Sequence, residues 1–209
     1  MDTLAHRLKL LGPTIVEICR ISGTSGVSLG VLHQNEVIHL DNFGYRDVEA
    51  KRAPDQDTLY FVASLSKLFT AAGIGNLVDE KKLEWDTPVS RILPEFDHPD
   101  ETIKNEAGIV DFLSHRSGLA GKTQMWYLEF ARPALPRGDT MRFSSYLDVV
   151  YAFQQRWLYN NWGYGLADEV IEKVSGKSWG TFLRERIFDP LGMEGTTTQV
   201  DPDTENVAK

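Results

Sequence analysis

The sequence predicts an α+β fold in which one N-terminal β-hairpin precedes a mainly helical body. Three observations carry that reading. Two runs rich in β-branched and aromatic residues, 27–33 and 36–45, flank the turn residues His33-Gln34-Asn35. Beyond them strand propensity is low, while apolar residues recur at helical spacing. A hydrophobic content of 42% with 25% charged residues is ordinary for a globular chain and excludes wholesale disorder.

The elements follow in order. Leu4, Leu8 and Leu11 recur at helical spacing, and Pro13 suits the first turn of a second helix running to about Ile21. Gly23-Thr24-Ser25-Gly26 breaks that helix before the hairpin. Cys19 is the sole cysteine, which excludes an internal disulfide. Among Ile15, Val16, Ile18 and Ile21 it is expected to be a buried structural thiol. Residues 58–62 are extended by propensity and lead into Ser64. From Ser64 to about Asp79, Leu68, Phe69, Ala72 and Leu77 predict a buried helix, and Gly73 and Gly75 within it imply close packing.

Pro88, Pro94 and Pro99 then punctuate a loop-rich stretch, whose acidic residues 97–101 read as solvated. Ile109, Phe112 and Leu113 mark a short helix stopped near Ser117-Gly118. Residues 120–145 read as irregular, with Pro133, Pro136 and Gly138. Helices are predicted over 146–157, 166–174 and 179–188, with 159–164 as a polar-aromatic turn and 201–209 as a frayed tail. The chain reads as one domain, with helices and hairpin in 1–60 and a helical lobe in 61–200.

Charge narrows the function classes. A net charge of −8 disfavours nucleic-acid binding, which needs a basic surface against phosphate. Lys67 interrupts the apolar stretch 60–74, so no segment is expected to span a membrane. The first residues lack a basic start leading into an apolar run, and a cytoplasmic location is expected.

Ser64 and Lys67 stand three residues apart at the expected start of a helix, which places hydroxyl and amine on one face. Exposed N–H groups there favour negative charge developing near Ser64. A hydroxyl needs a base to become a nucleophile, and lysine serves when its surroundings lower its proton affinity. A serine helix cap followed by a solvated lysine has the same pattern. Tyr159-Asn160-Asn161 adds a phenol that can relay protons and an amide that can hold a carbonyl or N–H. An aromatic turn packing on the next helix would look alike.

Ser64-Leu65-Ser66-Lys67 with Tyr159-Asn160-Asn161 resembles the first two signatures of the serine β-lactamase and penicillin-binding-protein superfamily. Tyr in the second motif is similar to class C β-lactamases and related esterases and acyltransferases, including transesterases of secondary metabolism. Asn42-Phe43-Gly44-Tyr45-Arg46-Asp47 and Leu113-Ser114-His115-Arg116-Ser117-Gly118-Leu119 also resemble family phrases, Arg116 standing where Thr is usual. Asn161-Trp162-Gly163-Tyr164-Gly165-Leu166 and Pro190-Leu191-Gly192-Met193 add two more. The resemblance implies a β-lactamase/transpeptidase-like fold, a helical lobe plus the hairpin of an otherwise missing antiparallel sheet.

It further implies that Ser64 is acylated by an ester, thioester or amide. Lys67 and Tyr159 would share the acid and base work, and Asn161 would orient the acyl group. The Ser64 N–H would supply half of an oxyanion hole. No metal or organic cofactor is implied, and no His/Cys/Asp/Glu cluster has zinc-ligand spacing. His115 could be drawn into a triad with Ser64, but the resemblance makes it a structural histidine. Trp126, Tyr127, Trp157 and Trp162 are candidates to line an acyl pocket or simply to pack.

The family's third signature, Lys-Thr-Gly or His-x-Gly, is not found. Lys177 lies in Ser175-Gly176-Lys177-Ser178 between helices and is not that motif. The sequence is therefore expected to be a truncated form of the domain, with unpaired hairpin edges that invite a homodimer. Two functions follow. One is a serine hydrolase or acyltransferase acting on a small-molecule acyl substrate. The alternative is a catalytically incomplete fragment or pseudoenzyme serving as a binding or assembly module.

Overall fold

Gln34 and Asn35 adopt positive φ, 49° and 65°, and close the predicted hairpin with a two-residue turn that matches strand twist. The structure is a computed structural model that describes residues 3–125, 137–200 and 204–209. The chain divides into two compact units, Met1–Ala63 with Gly195–Lys209, and Ser64–Glu194.

In the first unit, helix α1 (Leu4–Lys9) is capped by Thr3, whose hydroxyl accepts from the His6 N–H. Helix α2 (Gly12–Ser22) carries Pro13 in its first turn and ends at Gly23 in the left-handed region. Both pack against the hairpin's second strand. Strands β1 (Gly26–His33) and β2 (Glu36–Gly44) pair antiparallel, from Gly26 opposite Gly44 to His33 opposite Glu36, with a bulge at Val31/Leu32. Among the described residues this sheet holds two strands. Cys19 is only half-buried, because α2 lies at the surface of its unit. Residues 204–209 of the tail are not frayed as expected. Leu59 donates to the Asn206 carbonyl at 2.8 Å, and the Ala208 N–H returns to the Leu59 carbonyl at 2.9 Å.

The second unit is helical. Helix α3 (Ser66–Asp79) follows a tight 3-10 turn, Ala63–Leu65. Short helices α4 (Val89–Ile92), α6 (Ile109–Leu113) and α7 (Thr140–Ser144) pack on α8 (Asn161–Ser175), and α5 (Glu101–Glu106) packs on α4. The core holds Ile74, Leu77, Phe112, Leu166, Ile171 and Leu183. Gly73 does pack closely: an added Cβ would lie 3.1 Å from Ile171 Cδ1 and 3.2 Å from Leu183 Cδ2. The helix predicted over 179–188 is two geometries, α9 (Trp179–Leu183) and a π-turn over Arg184–Phe188. Acidic residues 97–101 are only partly solvated. His98 is buried between the Leu147 carbonyl and the Asp100 N–H, and Asp100 caps α5.

The helix predicted over 146–157 is absent. Its backbone donors bond outward instead. Val150 and Tyr151 donate to the Gly118 carbonyl, Gln154 to Arg116, and Leu158 to His115. That segment lies along residues 115–119 as irregular chain, with a single isolated bridge between Val149 and Leu119 and a turn at 153–155. Gly118, at φ +83°, permits the approach, since a Cβ there would meet the Tyr151 carbonyl oxygen at 2.3 Å. No helix among the described residues is long and apolar enough to cross a membrane.

Candidate active site

Four side chains singled out from the sequence meet within the second unit. Ser64 stands in the tight turn two residues before α3, where Ala63 takes φ +46°. A left-handed alanine costs about 1–2 kcal/mol, strain of the kind that gathers at functional sites. The turn brings Lys67 Nζ to 3.3 Å from Ser64 Oγ, despite the helix starting later than expected. Ser64 Oγ and Tyr159 Oη share a 2.6 Å hydrogen bond. Lys67 Nζ also donates to Asn161 Oδ1 at 2.8 Å. Ser64 is exposed, Lys67 and Tyr159 are half-buried, and Asn161 is buried.

Residues 159–164 are not a free turn, because α8 begins at Asn161. Asn160 is its cap: Oδ1 accepts from the N–H groups of Trp162 and Gly163, and Nδ2 donates to the carbonyls of Leu119 and Ala120. Tyr159 and Asn161 flank that anchor, so each side chain leaves the cap at a set angle. The sequence reading passed over Asn160. An Asn followed by a helical run was the available signal.

His115 sits behind the phenol. Its Nδ1 accepts from the Asn160 N–H at 3.1 Å, so the proton of a neutral ring rests on Nε2. The ring lies 4.7 Å from Tyr159 and 5.4 Å from Tyr164, centre to centre. Burial, then the Lys67 charge, holds the imidazole below its ordinary range. Nδ1 is thus occupied in positioning the α8 cap. Tyr164 is the second residue passed over. Its hydroxyl donates to the Leu113 carbonyl at 3.0 Å, and burial and the nearby Tyr159 push its phenol up.

Burial also pushes Tyr159 up. Hydrogen bonds from Lys67 and Ser64, with the Lys67 charge, outweigh burial and hold this phenol below its ordinary range. The arrangement suits an acceptor for the Ser64 proton with a cation beside it. Of the aromatic candidates, Trp162 is core, 2% exposed and stacked on Phe143 at 4.1 Å. Trp157 is 65% exposed beside His115 and Tyr159. Trp126 and Tyr127 lie outside the described residues. Among the described residues, no three His, Cys, Asp or Glu side chains are grouped to hold a metal ion.

A family profile described as Beta-lactamase matches residues 15–208, spanning both the hairpin and the Ser64 site. The chain belongs to the beta-lactamase family. Within it, the chain is 30% identical to penicillin-binding protein 4* of Bacillus subtilis over 192 residues, 90% of this chain and 40% of that one. It is 26% identical to an unguisins hydrolase of Aspergillus violaceofuscus, covering 87% of this chain and 33% of the relative. Among solved structures, an octameric penicillin-binding protein homologue from Pyrococcus abyssi superposes with a TM-score of 0.83 at 28% identity. That match covers 96% of this chain and 47% of the homologue. The family fold is therefore the α+β β-lactamase/transpeptidase-like fold, and this chain spans less than half the length of these relatives.

Proposed function

We propose that Ser64 is the nucleophile of a serine hydrolase or acyltransferase acting on a small ester, thioester or amide through an acyl-Ser64 intermediate. The observation that carries this reading is the 2.6 Å hydrogen bond between Ser64 and Tyr159, beside Lys67. In acylation the Ser64 hydroxyl gives its proton to the Tyr159 oxygen while Oγ bonds the carbonyl carbon. The carbonyl electron pair moves onto oxygen, where the Ser64 backbone N–H donates to it. The adduct collapses as the leaving group departs with the proton held by Tyr159. Water or another acceptor then attacks the acyl carbon, giving its proton to Tyr159, which passes it to Ser64 Oγ as that oxygen leaves, restoring the serine hydroxyl and the phenolate.

Lys67 keeps a positive charge against the phenol oxygen and fixes Asn161, whose amide orients the acyl group. Trp126 and Tyr127 are proposed contributors to the acyl pocket. Hydrolysis is supported by a relative that carries that activity in its name, an unguisins hydrolase.

Assembly is a second reading with its own support. Both outer edges of the hairpin are unpaired among the described residues, and the Pyrococcus homologue is octameric. A homodimer through the hairpin edge, with Ser64 vestigial, is the form this reading takes.

One experiment divides the two. The chain is incubated with a fluorophosphonate and analysed by intact mass, with Ser64→Ala as control. A single adduct that Ser64→Ala abolishes is expected. A folded protein that takes up no label would overturn the enzymatic reading for this chain.

A further inference from the structure

Lys67 Nζ has hydrogen-bond acceptors in Ser64 Oγ and Asn161 Oδ1, and two aromatic faces besides. It lies 4.9 Å from the centre of the Tyr159 ring and 5.3 Å from the centre of the Tyr164 ring, both within cation–π range. Tyr159 takes part in the proposed chemistry; Tyr164 does not. Tyr164 stands on the second turn of α8, a helical turn beyond Asn161, and its hydroxyl is tied to the Leu113 carbonyl at the end of α6. The ring itself packs against His115, 5.4 Å away centre to centre. A lysine has four rotatable side-chain bonds and reaches several positions unless something confines it. We infer that Tyr164 is a positioning residue whose ring face confines the Lys67 ammonium beside Ser64 and Tyr159.

This rests on the reading of Ser64, Lys67 and Tyr159 as one proton-transfer unit, and it explains a feature that reading leaves over. The groups facing Lys67 are Ser64 before α3, Tyr159 and Asn161 at the start of α8, Tyr164 further along α8, and His115 after α6. Burial, then the Lys67 charge, holds the His115 imidazole below its ordinary range, and its Nδ1 accepts from the Asn160 N–H. Lys67 is the cation among them. Losing the Tyr164 face frees the ammonium to move, and the Tyr159 oxygen then feels less of its charge. The hydroxyl of Tyr164 supplies only the anchor, so a phenylalanine held by the same packing would keep the face.

The test reads Tyr159 itself and needs no turnover. Its ionisation is followed by the ultraviolet phenolate band that Tyr159→Phe removes, in wild type, Tyr164→Phe, Tyr164→Met and Tyr164→Leu. The non-aromatic variants are expected to move the Tyr159 midpoint up by about half a pH unit, the worth of one partly exposed cation–π contact. Tyr164→Phe is expected to restore the wild-type midpoint. In a Lys67→Gln background, Tyr164→Met is expected to change nothing. An unchanged midpoint in either folded non-aromatic variant would overturn the inference. So would equal shifts in Phe and Met, which would assign the effect to the hydroxyl. Fluorophosphonate labelling judges Ser64 separately, so the two readings fail independently.

Discussion

Replacing Asn160 by alanine tests how the fold carries the site. The side chain is 2% exposed and makes four hydrogen bonds. Two of them, from the N–H groups of Trp162 and Gly163, cap α8; losing such a cap costs about 1 kcal/mol, up to about 2. The other two satisfy carbonyls of Leu119 and Ala120, residues 1% and 9% exposed. Removing a donor from buried acceptors costs about 1–3 kcal/mol. The terms share one side chain and do not add fully, so Asn160→Ala is expected to destabilise the protein by about 2–4 kcal/mol. Asn160→Ser retains a cap oxygen without the donor, and its loss should fall between. Urea unfolding followed by circular dichroism measures both. Because Tyr159 and Asn161 flank the cap, Ser64 labelling of Asn160→Ala should slow even at temperatures where the variant is folded. A loss below about 0.5 kcal/mol, with labelling unchanged, would refute the view that this cap holds the site together.

Two further predictions concern proton transfer and packing. The form of Tyr159 that accepts the serine proton is the phenolate, so labelling should rise as pH passes upward through its pKa. The pull of Lys67 and Ser64 places that rise below the ordinary phenol range, and Lys67→Met should move it to higher pH, since burial is then opposed only by the Ser64 hydrogen bond; an identical limb in that variant would refute the coupling. In α3, Gly73→Ala gains about 1 kcal/mol of helix propensity but forces contacts at 3.1 and 3.2 Å against Ile171 and Leu183, overpacking that costs about 1–3 kcal/mol. A net loss near 1 kcal/mol is expected by urea unfolding. Gly75→Ala, with Trp85 at an ordinary 3.8 Å, should instead be neutral or stabilising by up to about 1 kcal/mol.

The hairpin was legible because its signals are local. Period-two β-branched runs and a two-residue turn of Gln34-Asn35 depend only on neighbours in sequence, and both strands match expectation within a residue. Helix α2 was legible for the same reason, through Pro13 and Gly23. Residues 146–157 misled. Their apolar content fits a helix, but Gly118 lets another chain segment approach and take their N–H groups, partners 32 to 43 residues distant that local pattern does not contain. The start of α8 was read five residues late, because the aromatic and asparagine run looks like a turn until Asn160 is seen to cap it.

The sequence by itself determined the chemical types at the site and their family. Ser64, Lys67, Tyr159 and Asn161 are read as motifs because spacing along one helix and order along the chain survive without coordinates. Tertiary structure alone decided that Tyr159, 95 residues from Ser64, lies 2.6 Å from its oxygen. It alone decided that Asn160 is the anchor between two working neighbours, and that His115 and Tyr164 close around the phenol and the ammonium. The physical reason is that hydrogen bonds and cation–π contacts act over a few ångströms, whereas these partners are separated by up to about 100 residues of chain. Only the packing of α3, α6 and α8 brings them within range.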